Sequence, residues 1–249
     1  MSKKLDQKVC IVTGATSGMG KAIAEKFYQE GAKLILSGRN EDRGSALAAQ
    51  LEGSFFLPGD VSESSYNAEL VEAALENFGQ LDVLSINAGI LGLGSVIDLP
   101  ETVWHQTLNT NLSAIFYLSK HAIPHLQKDG GNILVNASIA AFKSFPNHPA
   151  YCASKAASVA LVKQMAVEYA PKIRVNAICP GPVDTPLLWD SAQAFPNPKT
   201  AVENAGKSTL MQRLGTVEDI AKAALFMVSD ASSWVTGTTM TIDGGIINT

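Results

Sequence analysis

The sequence is poor in cysteine, in charge and in long apolar runs, and each shortage excludes a class of protein. Its three cysteines, Cys10, Cys152 and Cys179, lie far apart, with no CxxC pair and no histidine-rich spacing. That pattern excludes a disulfide framework and a zinc site and fits free thiols in a reducing compartment, so no metal is expected and the expected location is cytoplasmic. Charged residues make up only 17% of the chain, and 19 Lys+Arg against 23 Asp+Glu leave a net charge of -4. With no basic stripe, nucleic acid is not an expected partner. The longest uncharged stretch, Thr102 to Ser119, carries His105, Gln106, Asn109 and Asn111, so no segment reads as membrane-spanning. The charged start, Met1 to Lys8, leads straight into a short apolar run and does not read as a signal peptide.

What the chain does have is 46% hydrophobic residues over 249 positions, enough for a large core and compatible with one α/β domain. There is no repeat, low-complexity tract or linker. Short β-type runs alternate with longer helical patterns. The runs are Val9–Val12, Leu34–Leu36, Phe55–Leu57, Val83–Ile86, Ile133–Val135, Val175–Ile178 and Met240–Ile242. Most are continuously apolar, as expected of strands covered by helices on both faces. Between them Ile23, Ala24 and Phe27 share a helical face. So do Leu112, Ile115, Phe116 and Ser119, and again Val217, Ile220, Ala221, Ala224 and Val228. Gly31 stands where a helix-ending glycine belongs. The alternation predicts a doubly wound, Rossmann-like three-layer α/β sandwich. Its mostly parallel sheet has about seven strands, with ligands at their carboxyl ends. Residues 186–214 contain no strand pattern, and Pro196 and Pro198 interrupt any helix there. The expectation is a long irregular segment acting as a lid or substrate-binding loop.

Directly after the first strand comes Thr13-Gly14-Ala15-Thr16-Ser17-Gly18-Met19-Gly20, then a helix. Gly14 suits the tight turn, Gly18 a close approach of backbone to phosphate, and Gly20 close packing of helix on sheet. The helix amino end offers free N–H groups to an anion. Tyr151 and Lys155 stand four apart, one turn along a helix, with Ser138 thirteen positions before the tyrosine. An ammonium group near a phenol favours the phenolate, so the pair reads as an acid–base group expected to work near neutral pH. Ser138 is placed to hydrogen-bond a reacting oxygen. His148 and His105 are not taken as bases; His148, beside Pro149, reads as structural or substrate-contacting.

The GxxxGxG spacing is similar to that of the short-chain dehydrogenase/reductase family, and the resemblance covers nearly the whole chain. Asn87-Ala88-Gly89 ends the fourth strand, with Ile86 where many members have another Asn. Asn111 opens the following helix, Ser138 follows the fifth strand, Tyr151-Cys152-Ala153-Ser154-Lys155 matches YxxxK, and Pro180-Gly181-Pro182-Val183-Asp184-Thr185 matches the turn after the sixth strand. The match is to the family's single-domain branch. It implies that Tyr151 exchanges a proton with the substrate oxygen while hydride passes between the substrate carbon and nicotinamide C4. Ser138 would orient that oxygen, Lys155 would hold the nicotinamide ribose, and Asn111 would hold a water that carries the proton onward. It further implies that Gly14, Thr16, Ser17, Gly18, Met19 and Gly20 bind the cofactor. Asp60 and Val61 would contact its adenine, Asn87, Ala88 and Gly89 its ribose side, and Val183 and Thr185 its carboxamide, within the turn begun by Pro180 and Gly181.

In this family an acid that bonds the adenosine ribose usually falls where this chain has Gly38, and Arg39 comes next. An arginine there meets the 2′-phosphate of NADP, so NADP(H) is the expected cofactor, with NAD(H) left open. The expected substrate-side lining is Ala140, Phe142, Phe145, Leu188, Trp189, Phe195 and Met211. It suits a small to medium, largely apolar ketone or secondary alcohol. Reduction of 3-oxoacyl thioesters, with Lys143, Lys199, Lys207 and Arg213 as a docking patch, is the alternative enzyme reading; a non-catalytic nucleotide sensor is the other. Relatives are usually oligomers, so the resemblance implies a homotetramer, with the segment from Val235 to Gly245 at an interface.

Overall fold

The structure is a computed structural model and describes residues 3–249. Seven strands form one sheet in the order β3-β2-β1-β4-β5-β6-β7, and every pairing is parallel. They are β1 (Val9–Val12), β2 (Lys33–Gly38), β3 (Phe55–Pro58), β4 (Val83–Ile86), β5 (Gly131–Asn136), β6 (Ile173–Pro180) and β7 (Thr239–Ile242). The helices are α1 (Gly18–Gln29), α2 (Glu41–Gln50), α3 (Ser64–Phe78), α4 (Glu101–Leu108), α5 (Ala114–Asp129), α6 (Pro149–Tyr169), α7 (Pro186–Ala192), α8 (Pro198–Lys207) and α9 (Val217–Val228).

The continuous apolar runs have a simple origin. Side chains alternate across a strand, so one run feeds two cores. Ile11 and Ile35 join residues of α3, α5 and α6 in one core. Their neighbours Cys10, Val12, Leu34 and Leu36 join residues of α1 and α9 in the other. This is the three-layer Rossmann-like sandwich that the alternation implies. Ile23, Ala24 and Phe27 are all buried, as their shared face requires. The edge strand β3 is less covered, and its Phe55 is 44% exposed.

Strand order reverses direction between β1 and β4, which opens a crevice at their carboxyl ends. Thr13 ties its two sides together, because its hydroxyl oxygen accepts from the backbone N–H groups of Asn87 (3.0 Å) and Ala88 (3.3 Å).

Three local expectations are corrected. Residues 186–214 are not irregular, since they contain α7 and α8. Pro186 and Pro198 each sit in the first turn, where a missing N–H costs nothing, behind the capping side chains of Thr185 and Asn197. Asn111 does not open a helix. It lies inside a π-helical turn, Asn109–Ser113, that joins α4 to α5 without a break. Phe116 leaves the buried stripe and is 51% exposed, because the stripe of α5 runs through Ile115, Leu118, Ala122 and Leu126 and Phe116 stands about 100° round the helix from Ile115. Among the described residues, no helix is long and apolar enough to cross a membrane.

Candidate active site

The carboxyl edge of the sheet carries two adjoining cavities. The larger, about 800 Å³, runs from the glycine-rich turn past the ends of β2 and β4. The smaller, about 370 Å³, lies over Ser138 and Tyr151 and is bounded by α7 and α8. Met19, Leu91, Thr185 and Leu187 line both and mark where they meet.

The glycine turn is shaped by contacts that leave no room for side chains. Gly14 has φ +64°, and a Cβ there would lie 2.9 Å from the Ala88 backbone. A Cβ on Gly20 would lie 2.2 Å from the Gly14 carbonyl oxygen, so α1 rests directly on the turn. Ser17 precedes α1 without capping it through its side chain, and no acid stands in the first turn. Uncapped N–H groups and the positive helix end therefore face the larger cavity, a fit for the phosphates of a dinucleotide. Gly14, Thr16, Ser17, Gly18, Met19, Gly20, Arg39, Asp60, Val61, Asn87, Ala88, Gly89 and Thr185 all line this cavity. Pro180, Gly181 and Val183 line the smaller one instead, on the side where the two join.

Tyr151 and Lys155 project from the first two turns of α6, which Pro149 opens. The Lys155 ammonium lies 5.6 Å from the centre of the Tyr151 ring and donates to the Asn136 carbonyl oxygen at 2.9 Å. A Cβ on Gly89 would lie 3.4 Å from Asn111 Oδ1 and 3.6 Å from Lys155 Nζ, so these three residues are immediate neighbours. The Asn111 side chain makes three hydrogen bonds. Its Oδ1 accepts from Ile90 N (2.8 Å), and its Nδ2 donates to Ile90 O (2.9 Å) and Ser154 Oγ (3.0 Å). It clamps the loop after β4 onto α6. Ser138 lies two residues beyond β5 and caps the short 3-10 turn Ile139–Ala141; its hydroxyl accepts from Ala140 N at 3.1 Å.

Electrostatics correct one expectation. The Tyr151 pKa is raised, not lowered: burial penalises the phenolate, and the hydrogen bond with Ser138 offsets this only in part. Burial lowers Lys155 from an ordinary 10.5 to about 8. Proximity to an ammonium does not by itself acidify a phenol when both groups leave water.

On the substrate side Ala140, Phe145, Leu188 and Phe195 line the smaller cavity as expected. Phe142, Trp189 and Met211 do not. They are 49%, 42% and 65% exposed, and the Trp189 indole N–H turns away to Asp184 at 2.9 Å. Sequence reading missed Asn40 and Arg43 at the β2 end of the larger cavity, and Ser191, Val202 and Ile246 in the smaller one, which His148 also lines. For Arg43 there was a signal, since it stands one helical turn after Arg39 in a segment that Asn40 caps. For Ile246 there was none.

A dinucleotide crevice joined to a cavity lined by Ser138 and Tyr151, with Lys155 behind the tyrosine, defines a Rossmann-fold oxidoreductase. The comparisons agree. The family described as enoyl-(acyl carrier protein) reductase matches residues 14–247. A 3beta-hydroxysteroid dehydrogenase of Mediterraneibacter gnavus is 35% identical over 97% of this chain and 95% of its own length. Dehydrogenase/reductase SDR family member 6 of Danio rerio is 36% identical over 97% and 98%. The ligand-free aldohexose dehydrogenase of Thermoplasma acidophilum superposes with a TM-score of 0.91 at 32% identity, covering 100% of this chain and 97% of that one. The chain belongs to the short-chain dehydrogenase/reductase family. It is a hydride-transfer oxidoreductase acting on CH-OH/C=O groups, and family and fold imply a nicotinamide cofactor.

Proposed function

We propose that the chain interconverts a small to medium, largely apolar ketone and its secondary alcohol, with NADP(H) as cofactor and Tyr151 as the acid–base group. The observation that carries this reading is the position of Tyr151 and Ser138. They form the floor of an apolar cavity at its junction with the glycine-turn crevice, with Lys155 directly behind.

In this reading Ser138 orients the substrate oxygen and Tyr151 gives or takes its proton. When bound, the nicotinamide supplies the carbon that donates or accepts hydride and, in its oxidised form, a positive charge that lowers the tyrosine pKa. Lys155, held on the Asn136 carbonyl, presents its remaining N–H groups to the ribose side of the crevice. Both Nδ2 hydrogens of Asn111 are spent and Oδ1 keeps one lone pair, so a proton-relaying water is held on that lone pair or on the main-chain carbonyl, which also accepts from Ser158 Oγ at 3.3 Å. Gly14 to Gly20 hold the phosphates, Asp60 and Val61 the adenine, Asn87 to Gly89 the ribose side, and the turn from Pro180 to Thr185 the carboxamide. Residues 186–214, as α7 and α8, form the substrate-side wall.

NADP(H) is favoured because Arg39 and Arg43 both line the crevice at the β2 end, where a 2′-phosphate would sit. The thioester alternative has less support. Arg213 is held by Asp219 at 2.7 Å, and Lys143 donates to the Ile246 carbonyl, so two of the four basic residues are already engaged.

The test is Tyr151→Phe. Nicotinamide absorbance across a panel of ketones should show kcat reduced by about 100-fold or more, with NADPH affinity largely kept. Equal loss of binding would make the tyrosine structural and overturn the assignment.

A further inference from the structure

The smaller cavity is largely apolar; apart from Ser138 and Tyr151, its polar side chains are Thr185, Asn204 and a pair at one corner. There His148, the residue before α6, is 2% exposed, and both its ring nitrogens are engaged. Nδ1 lies 2.6 Å from the Pro146 carbonyl oxygen, and Nε2 lies 2.8 Å from Ser191 Oγ on α7. Both residues line the cavity, and the imidazole centre is 6.3 Å from that of the Tyr151 ring. Neighbouring bonds hold this corner in place. Asn147 takes φ +59°, donates from Nδ2 to the Ala194 carbonyl at 3.4 Å, and accepts from Gly94 N at 3.0 Å.

The polarity of the chain of bonds follows from the chemistry of its end. A carbonyl oxygen only accepts, so the Pro146 contact fixes the hydrogen on Nδ1. In the neutral ring Nε2 is then an acceptor, and the Ser191 hydroxyl must donate to it. Ser191 has thereby used its proton and offers the cavity lone pairs alone.

We propose that the His148–Ser191 pair is a specificity element, an acceptor pole that takes a hydroxyl carried by the substrate away from its reacting carbon. Hydroxyketones and diols are then preferred over ketones with no second oxygen. A second carbonyl gains nothing there, because it cannot donate. The inference deepens the proposed function and rests on it. A site built to bond a hydroxyl rejects an analogue lacking it, because its polar group is left unpaired.

The test compares 4-hydroxycyclohexanone, cyclohexanone and 1,4-cyclohexanedione with NADPH. In the wild type kcat/KM should be about tenfold higher for the hydroxyketone than for the other two. Ser191→Ala alone bares His148 Nε2, itself an acceptor, so the double variant Ser191→Ala/His148→Asn, whose shorter arm reaches only Pro146, should bring the three ketones level. His148→Gln still presents an acceptor to Ser191 and should keep the preference. No preference in the wild type, or one that survives the double variant, overturns the proposal. Saturation-transfer NMR of cofactor-free protein with cyclohexane-1,4-diol and cyclohexanol reads the same pole without turnover. Stronger saturation of the diol, lost in Ser191→Ala/His148→Asn, supports the pole even where no nicotinamide is consumed, a result that would overturn the hydride-transfer reading alone. Equal saturation of both, or none of either, overturns the pole.

Discussion

Arg39 and Arg43 face the crevice from the end of β2 and the first turn of α2, and Asn40 between them caps that helix by accepting from Arg43 N at 2.9 Å. The cap fixes the start of α2, from which the second arginine lines the same crevice as the first. Each charge-assisted bond to a phosphate contributes roughly 1.5–3 kcal/mol. Arg39→Ala or Arg43→Ala should therefore weaken NADPH binding by about 10–100-fold and leave NADH within about threefold, measured by fluorescence titration. An unchanged NADPH/NADH ratio in both variants would overturn the NADP assignment. At this scale the sequence was readable where function sits in one short stretch. Tyr151 and Lys155 declare themselves by spacing, and the glycine turn by its place after a strand. The tyrosine's raised pKa was not readable, because it depends on how much water the finished cavity admits. His148 could be set aside as a base from sequence, but its bond to Ser191, forty-three positions away, appears only on folding.

Close approach of elements, more than any single bond, shapes the crevice. Gly20 lets α1 sit on the turn that ends β1, and a methyl group there meets the Gly14 carbonyl oxygen at 2.2 Å. Backbone on both sides leaves nothing flexible to yield. Gly20→Ala should cost about 3 kcal/mol in chemical denaturation and abolish cofactor binding together with it. A variant that kept wild-type stability would show that α1 can move outward freely. The strands and most helices were legible because each apolar run feeds two cores. The wall of the substrate cavity was legible only in part: Ala140, Phe145, Leu188 and Phe195 were expected there, whereas Val202 and Ile246 come from separate elements and no local pattern marks them as neighbours. A proline misled in the same region: Pro198 reads as a helix breaker, yet it starts α8 because the capping side chain of Asn197 precedes it.

At the scale of the whole molecule, the candidate site works against stability. Lys155 is 5% exposed and has a carbonyl partner but no carboxylate, and burial holds its pKa at about 8 against an ordinary 10.5. Below pH 8 the amine is charged in both folded and unfolded chains, and the folded chain carries the full desolvation penalty. Between pH 8 and 10.5 the folded chain has released a proton that the unfolded chain keeps. The unfolded state then binds more protons, so this group's contribution to stability rises with pH through that window. A shift of this size corresponds to roughly 3 kcal/mol, of which the lost bond to Asn136 returns about 1. Lys155→Met should thus stabilise the protein at pH 7 by about 2 kcal/mol, raising Tm by about 5 °C in calorimetry, while ending turnover. The gain should shrink as pH rises from 8 towards 10, since the wild-type amine is by then neutral in the fold. A Tm gain that stayed constant over this range would mean that packing, not charge, is what the methionine improves. A loss of Tm at pH 7 would mean that the bond to Asn136 outweighs the penalty of burying the amine.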